Sequence, residues 1–79
     1  MKGSVMELLQ LKYFRTIARF EHMTRAAEEL HIAQPALSKT VSLLEKELGV
    51  LLFDRRGRNI FLNQYGKILL APEFLIFLA

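Results

Sequence analysis

Pro35 stands inside the stretch LHIAQPALSK, residues 30–39, with helical patterning on both sides of it. In the interior of a helix a proline removes a backbone hydrogen bond and clashes with the preceding turn, at a cost of about 3 kcal/mol. In a first turn its missing N–H would have had no partner, so nothing is lost. The proline therefore marks a helix start, and only His31, Ile32 and Ala33 separate it, with Gln34, from the helix before. A link so short must be a tight turn.

The flanking patterns supply the remaining elements. Leu11, Phe14 and Ala18, with Leu8 and Ile17 at the margins, recur at helical spacing and predict a first helix from Glu7 to about Phe20. Thr24 offers a side-chain oxygen to the unpaired amides of a second helix running to Leu30, in which Ala27 and Leu30 give a small and a large apolar contact. In the third helix Leu37, Val41, Leu44 and Leu48 fall within about 60° of one another. Pro35, Ser38, Lys39, Ser42 and Lys46 gather on its opposite side, and Gly49 can take the left-handed conformation that ends it. The period then changes: Leu52 to Arg55 and Ile60 to Leu62 predict two short strands joined by a turn at Arg56 to Asn59. Asn63 suits the cap of a fourth helix from about Gln64, despite the helical cost of Gly66.

A chain of 79 residues has room for one small domain and not for a second core. Its 52% hydrophobic and 24% charged residues fit a packed domain better than a disordered tail. Cysteine is absent, so disulfides, thiolate metal sites and a cysteine nucleophile are excluded, and a reducing, cytoplasmic setting fits. The start, MKGSVMELLQ, lacks the apolar run of a signal peptide, so no export is expected, and residues 1–5 read as an N-terminal extension. The net charge of +3 is unevenly placed: residues 34–67 carry six basic side chains against three acidic ones, residues 1–33 five against four. An anionic partner is expected to meet the second half.

Two helices joined by a tight turn, the second polar outward, match the arrangement in which a recognition helix enters the DNA major groove. Gln34 can pair with adenine, Ser38 can reach a base edge or phosphate, and Lys39 can reach guanine or phosphate. Arg55, Arg56 and Arg58 surround a glycine turn and suit a wing lying on the backbone or in a narrow minor groove. A polar face alone would suit any solvated helix, and an arginine run any solvated turn. Their conjunction after a three-helix core favours duplex DNA.

MELLQLKYF, TRAAEELHIAQPALSKTVSLLEKELGVLLFDRRGR and LNQYGKILL resemble, in order and over about residues 6–70, the DNA-binding domain of LysR-type transcriptional regulators. The resemblance implies a mainly α fold, a winged helix-turn-helix with a three-helix core, a small β-hairpin wing and the start of a linker or dimerisation helix. On it, residues 6–63 form the DNA-binding domain, with the helix-turn-helix at 23–42 and the wing at 52–62, and residues 64–79 the linker helix and an apolar tail. Gln34, Pro35, Ser38 and Lys39 would face base edges and flanking phosphates, with Ser42 on the same face. Thr24 would hold phosphate, or simply cap its helix, and Arg55, Arg56 and Arg58 would serve the wing. The implied partner is a roughly palindromic promoter or operator duplex bound by a homodimer paired through residues 64–79, with half-sites about one helical turn apart, ~34–36 Å.

The chain also departs from that family. Ala33 stands where a serine is common, removing one cap or phosphate contact, and Leu9, Leu43 and Leu51 occupy places that are often polar or basic, which should weaken nonspecific affinity. The family's effector-binding domain is expected to be absent, and with it any small-molecule effector site. The ending APEFLIFLA is unlike the family: Pro72 would kink or restart a helix, and Phe74 to Leu78 is an apolar run too short to span a bilayer, so no membrane role is expected. Such a run needs cover: burial in a dimer is favoured over packing back on the domain, with a truncated end as the third reading.

No catalytic constellation is visible and no enzyme or cofactor is expected. His22 and His31 lack the companion ligands of a metal site, Asp54 is the sole aspartate, and the glutamates are expected mostly on solvated helix faces. The alternative to DNA binding is an interaction module that pairs with a full-length regulator without binding DNA productively itself.

Overall fold

The computed structural model describes residues 8–57 and 59–71, which order as α1 (Leu8–Phe20), α2 (Met23–Leu30), α3 (Gln34–Leu48), β1 (Phe53–Arg56), β2 (Asn59–Leu62) and α4 (Gln64–Leu70). The first three helices pack on one another, and the antiparallel hairpin lies beside α1 and α4. Phe14, Ile17, Ala26, Leu37, Val41, Leu44 and Leu52 are at most 1% exposed and form the centre of the core. Phe14 meets Phe53 of the hairpin with ring centroids 5.4 Å apart at 48°, a tilted pair that ties β1 to the helices. Each large side chain buried this way contributes about 1.5–3 kcal/mol, which in a cysteine-free chain must carry most of the stability.

The face of α1 differs from the sequence expectation. Ile17 was expected at the margin, yet it is fully buried alongside Phe14, while Leu11 and Ala18 are only half-buried and Leu8 is 86% exposed. The buried centre is set by where α2 and α3 cross α1, and periodicity alone does not reveal that line.

The start of α2 also differs. Thr24 is not the cap: the helix begins at Met23, and His22, in extended conformation, accepts the Arg25 N–H on its Nδ1 at 3.3 Å. Thr24 already lies inside the first turn, exposed. His31 ends α2 at φ 59°, where its N–H reaches the Glu28 carbonyl at 3.1 Å and the Ile32 N–H reaches the Ala27 carbonyl at 3.1 Å. This pair of bonds is a Schellman closure built on a histidine rather than a glycine. Ala33 then opens α3 with no side-chain cap, Pro35 sits in the first turn, and Gly49 at φ 78° ends the helix. On α3, Leu37, Val41 and Leu44 are buried and Leu48 half-buried, while Pro35, Lys39, Ser42 and Lys46 are exposed.

The strands are displaced from the expected ones: they run 53–56 and 59–62, paired Phe53 with Leu62 through Arg56 with Asn59, so the connection is two residues, with Gly57 at φ 62°. Positive φ at that place is what a two-residue hairpin turn requires. Leu52 is not in a strand but is buried, its N–H donating to Glu45 Oε2 at 2.8 Å. Glu45 is therefore an exception among the glutamates: it is 8% exposed and pins the chain as it leaves α3. Asn63 caps α4 as expected, its Oδ1 accepting from the Tyr65 and Gly66 amides at 2.9 Å and its Nδ2 donating to the Leu51 carbonyl at 2.7 Å.

Candidate nucleic-acid interface

The wing is held against the helix-turn-helix by main-chain bonds at the corner between α1 and α2. The Ile60 N–H donates to the Glu21 carbonyl at 3.2 Å, and His22 forms an isolated antiparallel bridge with Asn59. To present that carbonyl Glu21 adopts φ 53°, a left-handed conformation a side-chain-bearing residue takes only at some cost. His22 thus serves both elements, capping α2 through its ring and meeting β2 through its backbone.

Along that seam runs a cleft of about 470 Å³ lined by Thr24 from the first turn of α2, Gln34 from the first turn of α3, and Arg55 from β1, with His22, Gly57 and Asn59 completing its walls. Three expected contact residues from three different elements are brought together there. Pro35, Lys39 and Ser42 continue from it along the exposed face of α3, and Ser38 lies half-buried at the edge of that face.

Strand alternation separates the wing arginines. Arg55 pairs across the hairpin with buried Ile60 and shares the face of Phe53, which directs it toward the cleft. Arg56 belongs to the other face, where its guanidinium lies 6.0 Å from the Phe61 ring centroid, and it does not line the cleft. Arg58 lies outside the described residues.

The electrostatics favour an anion. Among the described residues the one ion pair is Arg19 with Glu29 at 3.6 Å, and it uses none of the bases of the cleft or of the α3 face. Lys39, Lys46, Arg55 and Arg56 therefore present charge without an acidic partner among the described residues, and a polyphosphate would supply one. Among the described residues no cluster of three or more His, Asp or Glu side chains could hold a metal ion, and no helix is long and apolar enough to cross a membrane. His22 and Asn59 were missed from the sequence, because histidine is an uncommon cap and their pairing joins residues far apart in the chain.

The model of the bacterial regulatory helix-turn-helix protein, lysR family, matches residues 8–67. The chain belongs to the LysR family. Among LysR-family relatives, the uncharacterized HTH-type transcriptional regulator YybE of Bacillus subtilis (strain 168) is 60% identical over 65 residues, which is 82% of this chain and 22% of that protein. The RuBisCO operon transcriptional regulator of Allochromatium vinosum is 48% identical over 60 residues, 76% of this chain and 20% of that protein. The chain thus spans about a fifth of the length of these relatives. Among solved structures, the CbnR_DBD-DNA complex superposes with a TM-score of 0.82 at 38% identity, covering 92% of this chain and 83% of that one. The complex of BenM_DBD with benA site 1 DNA does so with a TM-score of 0.80 at 37% identity, covering 92% and 83%. The winged helix-turn-helix expected from the sequence is the fold observed, four helices with a two-stranded antiparallel hairpin.

Proposed function

We propose that this chain is the DNA-binding part of a bacterial LysR-type transcriptional regulator, binding duplex DNA sequence-specifically in the cytoplasm, and that it is not an enzyme. The observation that carries this reading is the convergence of Thr24, Gln34 and Arg55 on one cleft at the N-terminal end of α3. In this reading the first turns of α3 enter the major groove. Gln34 and Ser38 meet base edges, Pro35 gives apolar contact, and Lys39 and Ser42 reach bases or flanking phosphates. Thr24 holds a phosphate on one side and the wing lies on the other, with Arg55 directed inward and Arg56 and Arg58 available to the backbone. The chemistry is that of recognition alone: hydrogen bonds to bases fix sequence, and lysine and arginine release counterions from phosphate. The protein acts as a homodimer paired through residues 64–79, so that two recognition helices meet a roughly palindromic site.

The test is a salt titration of duplex affinity with the purified chain, using sites selected from a random pool. Affinity is expected to fall steeply with salt. Lys39→Glu is expected to lower it about tenfold or more and to make the log–log salt slope shallower by about one, with an unchanged circular dichroism spectrum. Binding indifferent to both salt and that substitution would refute the reading.

A further inference from the structure

One nitrogen of the His22 ring is left unused by the fold. Its Nδ1 accepts the Arg25 N–H at 3.3 Å, and its backbone meets Asn59. An imidazole whose Nδ1 accepts a hydrogen bond is neutral and carries its one proton on Nε2. The cap of α2 therefore fixes the tautomer, and the Nε2–H leaves the ring on the side away from the cap bond. Among the described residues nothing accepts from it.

The ring is half-buried and forms part of the wall of the cleft of about 470 Å³, beside Thr24, Gln34 and Arg55. Thr24 brings a hydroxyl to that opening, Gln34 an amide and Arg55 a cation without an acidic partner among the described residues, and no carboxylate lines it. Donors converging without a carboxylate suit an anionic oxygen. His22 also borders a second hollow, of about 370 Å³, but there the Glu21 carboxylate offsets Arg25, so the cleft is the side an anion prefers.

We infer that His22 is itself a DNA contact, its Nε2–H donating to a non-bridging phosphate oxygen seated in the cleft between α3 and the wing. This rests on the duplex-binding reading above and adds to it a neutral donor of fixed direction. Lys39 and Arg55 are long and lose rotamer freedom when they meet phosphate. The His22 ring is already held at the cap and its backbone at β2, so less freedom is lost there on binding. The contact also requires α2 and the wing to be seated together, so it senses the assembled interface and not a loose basic surface.

The test separates contact from cap. His22→Ser keeps an acceptor for the Arg25 N–H, serine being a favoured N-cap residue, but its side chain is too short to reach the phosphate, and Tm is expected not to fall. Affinity for a duplex selected from a random pool should fall about tenfold, the worth of one hydrogen bond to a charged oxygen, with the log–log salt slope unchanged because a neutral donor releases no counterion. His22→Asp, another favoured cap, sets a carboxylate against the phosphate and should weaken binding further than serine does, again without loss of Tm. Methylphosphonate linkages placed one at a time along the half-site give the decisive comparison. At one linkage the penalty for the wild-type chain should exceed that for His22→Ser about tenfold, while at every other linkage the two chains lose alike. His22→Ser binding as tightly as wild type, or penalties that run parallel at every linkage, would overturn the inference and leave His22 a cap alone. Lys39→Glu on the same duplex reports the broader reading: if it loses affinity and His22→Ser does not, only the His22 contact fails, and if neither loses any, recognition through α3 fails as well.

Discussion

Glu45 shows how much one side chain can settle in a domain this small. Its carboxyl is buried beneath the connection between α3 and β1 and accepts the Leu52 N–H at 2.8 Å, fixing the place where the chain turns out of the recognition helix into the wing. Glu45→Ala leaves a buried donor unpaired and is expected to cost about 1–3 kcal/mol, read as a lower urea midpoint at unchanged slope, while Glu45→Gln keeps an acceptor and should lose less. From the sequence this glutamate looked like any other on an amphipathic helix. Its burial depends on the chain after Gly49 folding back over it, an event outside the reach of helical periodicity. His22 belongs to the same class: its capping bond is local, but its bridge to Asn59 exists only because β2 returns to that corner.

Among the elements, α4 departs most from what its composition suggests. A glycine in a helix normally weakens it by up to about 1 kcal/mol relative to alanine, so Gly66→Ala on propensity alone would stabilise. Here a Cβ on Gly66 would overlap the Leu52 carbonyl oxygen and the Leu62 side chain, and the backbone atom cannot yield. Gly66→Ala is therefore expected to destabilise by about 1–3 kcal/mol, seen as a lowered Tm in a thermal melt. A Tm raised by the substitution would mean that α4 does not sit this close to the start of β1. The hairpin offers a parallel case. Its existence and its glycine turn were legible from residues 52–62, but its register was not, and a shift of one residue decides which arginine faces the cleft.

At the scale of the whole molecule, function depends on how two copies are spaced. In the proposed homodimer, paired through residues 64–79, the two recognition helices stand at a fixed separation, and selected sites should contain two half-sites about one helical turn apart. Inserting about half a turn of DNA between them should cost far more affinity in a gel-shift titration than inserting a full turn, because only the former rotates one half-site to the opposite side of the duplex. Equal losses from both insertions would show the copies binding independently.

What the sequence determined by itself was the order and kind of the elements, the tight turn before Pro35, the stop at Gly49, the cap at Asn63 and the polar face of α3. These follow from capping and periodicity, which act within one or two turns of the chain. Only the tertiary structure decided that Ile17 lies at the centre of the core, that His22 rather than Thr24 caps α2, and that Arg55 rather than Arg56 joins Thr24 and Gln34. Each of those outcomes depends on which distant element packs over a residue, and burial, unlike helix capping, is a property of neighbours in space.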